Sequence, residues 1–165
     1  MGFDVKTCGA NAVAWAIARR GSTAYATRCL AFVEDAIERS NRLELFGGDD
    51  AAESAVLYDA AANTAAPPAY ALAFYESVGE LFGQRRDWGH VGLTVGDELV
   101  VHAWDEVRID RYDALEALTP APGWEPLRWL GWVPLDRVLQ DARPREWDED
   151  PAAAAARMQK ERFGG

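Results

Sequence analysis

The chain has 165 residues, 49% hydrophobic and 27% charged, which suits one globular domain with enough apolar material for a proper core. Its net charge of −10 argues against nucleic acid or an anionic membrane as the main partner, and makes a long acidic polymer an awkward substrate. No run approaches the roughly 18 apolar residues of a membrane span, and the start, MGFDVKTCGAN, lacks the pattern of an export signal. A soluble cytoplasmic protein is therefore expected, with delivery by a route that needs no signal peptide kept open.

In chain order, residues 9–20 (GANAVAWAIARR) read as a short Ala-rich helix stopped by Gly21. In the next segment Cys29, Phe32, Val33, Ala36 and Ile37 recur at spacings of three and four, the stripe of an amphipathic helix, and Gly47 and Gly48 end it. Residues 49–62 look like a further helix. The paired prolines of NTAAPPA exclude helix and mark a turn. Beyond it the period shifts towards 2. Residues 70–76, 90–95, 98–104, 106–112 and 129–135 are strand candidates rich in β-branched and aromatic residues. Helices followed by strands predict an α+β domain over residues 1–140, with an antiparallel sheet receiving a helix on one face. Residues 141–165 are charged and Ala-rich, an appended helix or tail.

Both histidines, His90 and His102, lie in the ribbon HVGLTVGDELVVHAW. A two-residue loop at Gly96-Asp97 would set them on opposite faces. A three-residue loop over Gly96-Asp97-Glu98 pairs Val95 with Leu99, Leu93 with Val101 and Val91 with Ala103, an apolar face. The other face then holds His90 beside Trp104 and Gly92 beside His102. That register is preferred, and it makes the histidines diagonal neighbours. The plain alternative is that they are spacers in an amphipathic hairpin.

A histidine pair needs a third group. Metal is disfavoured, because no Asp or Glu alternates onto the same face nearby and the cysteines are distant in sequence. A thiol fits better. With Thr27 as N-cap, Cys29 falls in the first turn of the amphipathic helix, where the dipole and free amides favour thiolate. Its bland reading is a small core residue. Cys8, which has no such context, reads as structural.

The order Cys29 at a helix start, a proline turn, Gly89-His90-Val91-Gly92-Leu93 and Val100-Val101-His102-Ala103 resembles the NlpC/p60 family of papain-like cysteine peptidases and amidases, relatives of the CHAP amidases. The likeness spans about residues 10 to 135, including WLGWVP as a closing strand. It departs at the cysteine, where Arg28-Cys29-Leu30-Ala31 stands in place of the family's Asp-Cys-Ser-Gly, and Gly79 to Trp88 looks like an insertion. The resemblance implies a nucleophile-bearing helix on a five-stranded, mostly antiparallel sheet. It implies Cys29 as nucleophile, His90 as base and His102 as its orienting partner, acting on a peptide, amide or acyl-thioester substrate through a thioester, without cofactor or metal. Tyr25 would correspond to the family's oxyanion-binding tyrosine. Arg85, Arg86, Trp88 and Trp104 are candidate substrate contacts. Two alternatives stand beside hydrolysis: an intracellular transacylase using the same residues, and a degenerate relative that only binds.

Overall fold

The structure is a computed structural model and describes residues 2–148 and 150–163. Five helices and nine strands follow in order: α1 (Val5–Ile17), α2 (Cys29–Asn41), β1 (Leu43–Glu44), α3 (Ala51–Leu57), β2 (Ala71–Glu76), β3 (Val78–Leu81), β4 (Gln84–Asp87), β5 (His90–Gly96), β6 (Leu99–Ala103), β7 (Val107–Arg111), β8 (Arg128–Pro134), α4 (Leu135–Leu139), β9 (Arg143–Pro144) and α5 (Pro151–Phe163). The fold is α+β, as expected. Its main sheet is five-stranded and antiparallel, in the order β7-β6-β5-β2-β8.

The period-2 pattern of β2 and β5 separates two apolar layers. Leu72, Phe74, Val91 and Leu93 meet Phe32, Val33, Ala36 and Ile37 of α2, with α1 packed beyond. The opposite face carries Ala73, Tyr75 and Val100 beneath Leu115, Leu127 and Trp129. His90 pairs with Tyr75 and so takes the second face.

Several boundaries move for identifiable reasons. Helix α1 begins at Val5 because Asp4 caps it, accepting from the Thr7 amide. It ends before Gly21, whose amide is drawn to the Val107 carbonyl. The helix expected over 49–62 shrinks to α3, capped by Asp50, because Asp59 turns left-handed and one 3₁₀ turn follows. Residues 79–88 are no loose insertion. They form most of the β3–β4 hairpin, turned by Phe82 and Gly83, both at positive φ.

The tail is tied down. Strand β9 pairs with β1, the Trp147 indole donates to the Leu43 carbonyl, and α5 follows from its Asp150 cap. Among the described residues no helix is long and apolar enough to cross a membrane.

In the last turn of α2, Glu38 accepts from the Leu45 amide in a buried setting, and burial pushes its carboxyl up to about 7. Ionising it in the fold is therefore costly, so its contribution to stability is whole below about pH 4.5 and is lost as pH rises through about 7. Glu38→Gln, which keeps an acceptor for Leu45, is expected to stabilise the protein by roughly 2 kcal/mol at pH 8 and by almost nothing at pH 4.5. Urea unfolding at both pH values checks this.

Candidate active site

The histidine ribbon turns differently at its tip from the expected loop, yet reaches the same register below it. Asp97 and Glu98 both take positive φ and form a two-residue loop, so Gly96, not Val95, faces Leu99. A bulge at Val95 absorbs the extra residue, and Leu93 returns opposite Val101. The correction leaves the histidines on one face. Their rings sit 5.0 Å apart at the centroids, nearly perpendicular, and His90 Nε2 lies 2.9 Å from His102 Nδ1.

A third member, a carboxylate from the next strand, completes this pair. His102 Nε2 lies 2.8 Å from Asp110 Oδ2. The pairing of β6 with β7 sets His102 opposite Arg108 and Val100 opposite Asp110, so Asp110 shares the face of His102. This overturns the expectation that no carboxylate reaches that face. The signal was present in VRID, two residues apart on the strand after the histidine, but it needed the β6–β7 register to be read. Arg108 grips the same carboxylate with two bonds, Nε to Oδ2 at 2.7 Å and Nη2 to Oδ1 at 3.1 Å.

These bonds dictate the tautomers. The His102 hydrogen bond, followed by the Arg108 guanidinium, holds the Asp110 carboxyl down at about 2, so it is an acceptor only. His102 must then donate from Nε2, which leaves its Nδ1 as an acceptor for the Nε2–H of His90. The free lone pair of His90 is consequently on Nδ1. Burial keeps both rings neutral: His90 is held well below the ordinary histidine range by burial and by the neighbouring His102. For His102 burial also lowers the value, against the pull of Asp110.

Cys29 is the first helical residue of α2, with Arg28 rather than Thr27 at the N-cap, because Thr27 is left-handed. No side chain caps the helix, so the sulfur lies close to free amides. The N–H groups of Val91, Leu30 and Cys29 itself favour the thiolate, but burial outweighs them and pushes the thiol up to about 11. The thiol's hydrogen bond goes to the carbonyl of Gly89, a long contact of 4.0 Å to the residue before His90. No hydrogen bond joins Sγ to His90 among the described residues. Cys29 and His90 open into the same cleft of about 890 Å³. The resting pair is thus a neutral thiol and a neutral imidazole.

The remaining expected residues divide. Trp104 lines the cleft with its ring 5.4 Å from that of His90, and Trp88 lines it while donating its indole N–H to the Gly79 carbonyl. Tyr25 is displaced from the oxyanion role. It is buried behind α2 against Trp15 and Phe32, its hydroxyl donates to Asp35 at 2.7 Å, and it is not among the cleft-lining residues. Arg85 and Arg86 also miss the cleft. The β3–β4 hairpin sends Arg85 to the Gly123 carbonyl and Glu125, and Arg86 to Asp50 while it stacks on Trp88. The N–H groups of Leu30 and Cys29 at the start of α2, with that of Val91, are the donors beside Sγ. Cys8 is buried beside α2 and is not among the cleft-lining residues.

Among the described residues no three His, Cys, Asp or Glu side chains are grouped to hold a metal. No family model, curated protein or solved structure matches the chain.

Proposed function

We propose that the protein is a cysteine-dependent amide hydrolase or acyltransferase of the NlpC/p60 type, with Cys29 as nucleophile and His90 as its base. The observation that carries this reading is the hydrogen-bonded His90–His102–Asp110 series, its two rings buried, opening into the same cleft as a helix-start thiol. A purely structural hairpin gains little from burying two neutral histidines end to end against an ionised carboxylate, since buried polar groups cost stability unless every partner is supplied.

The chemistry follows from the tautomers. As a carbonyl carbon approaches Sγ, the thiol proton passes to His90 Nδ1 and the carbon–sulfur bond forms. The carbonyl oxygen becomes an oxyanion facing the amides at the start of α2. The imidazolium is then stabilised through His102 by Asp110. His90 returns the proton to the leaving amine, the carbon–nitrogen bond breaks, and a thioester remains on Cys29. Water, or an acceptor amine, activated by the same nitrogen, releases the acyl group. Because the pair starts neutral, proton transfer accompanies attack instead of preceding it.

The test is acylation of the protein by a phenyl acetate ester, followed by intact mass and peptide mapping. An adduct on Cys29 is expected, formed roughly 10²-fold more slowly in His90→Ala and absent in Cys29→Ser. Equal adduct formation with and without His90 would sink the reading in favour of the binding module. Adding hydroxylamine separates hydrolysis from transfer, since a transferase gives the hydroxamate in preference to free acid. The acid limb of the acylation rate is expected below the usual histidine value of about 6.5. The base works only when neutral, and burial keeps His90 neutral to lower pH.

A further inference from the structure

The chain's own C-terminal helix forms part of the cleft wall. Helix α5 keeps the small side chains of Ala154 and Ala155 buried and lines the same cleft as Cys29 and His90. Gln159 touches the N-terminus of α2 twice. Its amide donates to the Thr27 carbonyl at 3.0 Å, and its carbonyl accepts from the Arg28 guanidinium at 3.4 Å. One turn on, Arg162 meets Asp49, another cleft-lining residue, at 3.6 Å, and its charge is felt by Glu34, a cleft carboxyl that burial holds well above its ordinary range. Phe163 lies stacked on Phe82, 5.5 Å between centroids, and edge-on to Trp88 at 5.3 Å. Phe82 and Trp88 come from the β3–β4 hairpin and its exit, and Trp88 stands two residues before His90.

We propose that α5 is an intramolecular occupant of the substrate cleft, with Arg162 and Phe163 filling subsites for a cationic group and an adjacent aromatic group of a peptide. This rests on reading the cleft around Cys29 as the site of reaction. Two walls of different chemistry, acidic at Asp49 and aromatic at Phe82 and Trp88, each receive the side chain that complements them, from consecutive residues. The attachment is also of a kind that releases. Among the described residues it includes small alanines, of which Ala155 joins the main core with Ala152 packed against it, a glutamine, a half-exposed ion pair and one ring, whereas α2 gives that core Phe32, Val33, Ala36 and Ile37. Cys29 is partly exposed in the cleft, and departure of α5 would open that cleft further to water and move the thiol back towards its ordinary range. A peptide carrying a basic residue followed by an aromatic one competes for the same walls.

The experiment compares full-length protein with the double variant Arg162→Ala, Phe163→Ala, measuring the rate of iodoacetamide labelling at Cys29 by peptide mapping, which keeps Cys8 separate. The expected result is labelling about tenfold faster in the variant, because modification of a covered site scales with the open population. The acetylated peptide Gln-Lys-Glu-Arg-Phe-Gly-Gly, added to the variant, is expected to restore slow labelling. The same peptide with Glu-Ala in place of Arg-Phe is expected to leave it fast. Labelling in the double variant as slow as in the parent overturns the proposal, as does equal protection by the two peptides. Circular dichroism and an unchanged unfolding midpoint establish that the variant is folded. Failure of the catalytic reading looks different: labelling, covered or uncovered, would then be indifferent to His90→Ala while the effect of α5 persisted.

Discussion

Asp110→Asn is expected to lower turnover by on the order of 10³-fold with little change in KM. Exchanging the orienting carboxylate of a catalytic histidine for its amide costs about 10⁴-fold where the two are in direct contact. Here, on the proposed mechanism, the carboxylate reaches His90 through a second ring, His102, so a somewhat smaller loss follows. Two effects combine. The negative charge that stabilises the imidazolium of the transition state disappears. In addition, whichever way the new amide turns, its NH₂ faces a donor: Arg108 Nη2 at the Oδ1 position, or Arg108 Nε and His102 Nε2 at the Oδ2 position. The second orientation reverses His102, which then presents Nδ1–H to His90 and drives the His90 proton onto Nδ1, the atom needed to accept from the thiol. The ¹⁵N shifts of the two imidazoles report that reversal directly. A merely structural Asp110 would leave kcat alone while lowering the unfolding midpoint. Alkylation of Cys29 at high pH, which needs no base, is expected to be retained.

Gly92→Val is expected to cost about 3 kcal/mol of stability and most of the activity. On strand propensity alone the change should help, because valine is a strong strand former and glycine a weak one. The site reverses that sign. A Cβ at residue 92 would overlap Val100 Cγ1 and stand 3.0 Å from His102 Cβ and 3.1 Å from the Val101 carbonyl oxygen. Valine at 100 is fully buried and β-branched, so it has no other rotamer to retreat to. Backbone separation of β5 and β6 is the remaining relief, and it lengthens the 2.9 Å bond between the histidines. Chemical denaturation and the Cys29 acylation rate, measured together, check both halves. A variant of unchanged stability would mean that the strands part freely and that the relay is not held by packing.

Much of this molecule is legible in its residue order. The amphipathic stripe of Cys29, Phe32, Val33, Ala36 and Ile37 has one face to bury, and β2 and β5 alternate in a way that permits one register with an apolar side, so α2 on the sheet follows from pattern alone. The shared face of His90 and His102 follows from the same apolar pairing, even though the turn above it is two residues with a bulge instead of three. Periodicity is local, and these are relations between neighbours in the chain or across one hairpin.

What tertiary structure alone decides is which groups face each other across several elements. Asp110 reaches His102 only because β7 returns beside β6 in a particular register, and Arg108 then holds its charge. Tyr25 precedes Cys29 by four residues yet spends its hydroxyl on Asp35, because the chain between them turns left-handed at Thr27 and sends the ring behind the helix. Arg85 and Arg86, two positive charges just ahead of His90, are consumed by Gly123, Glu125 and Asp50, partners that lie 36 or more residues away in sequence. The Ala-rich tail, indistinct as a sequence, comes to lie across the cleft because Arg143–Pro144 adds to β1 and Trp147 anchors on Leu43, setting the direction in which α5 runs. A charged side chain satisfies whichever partner the fold brings nearest, and no local pattern records where that partner will be.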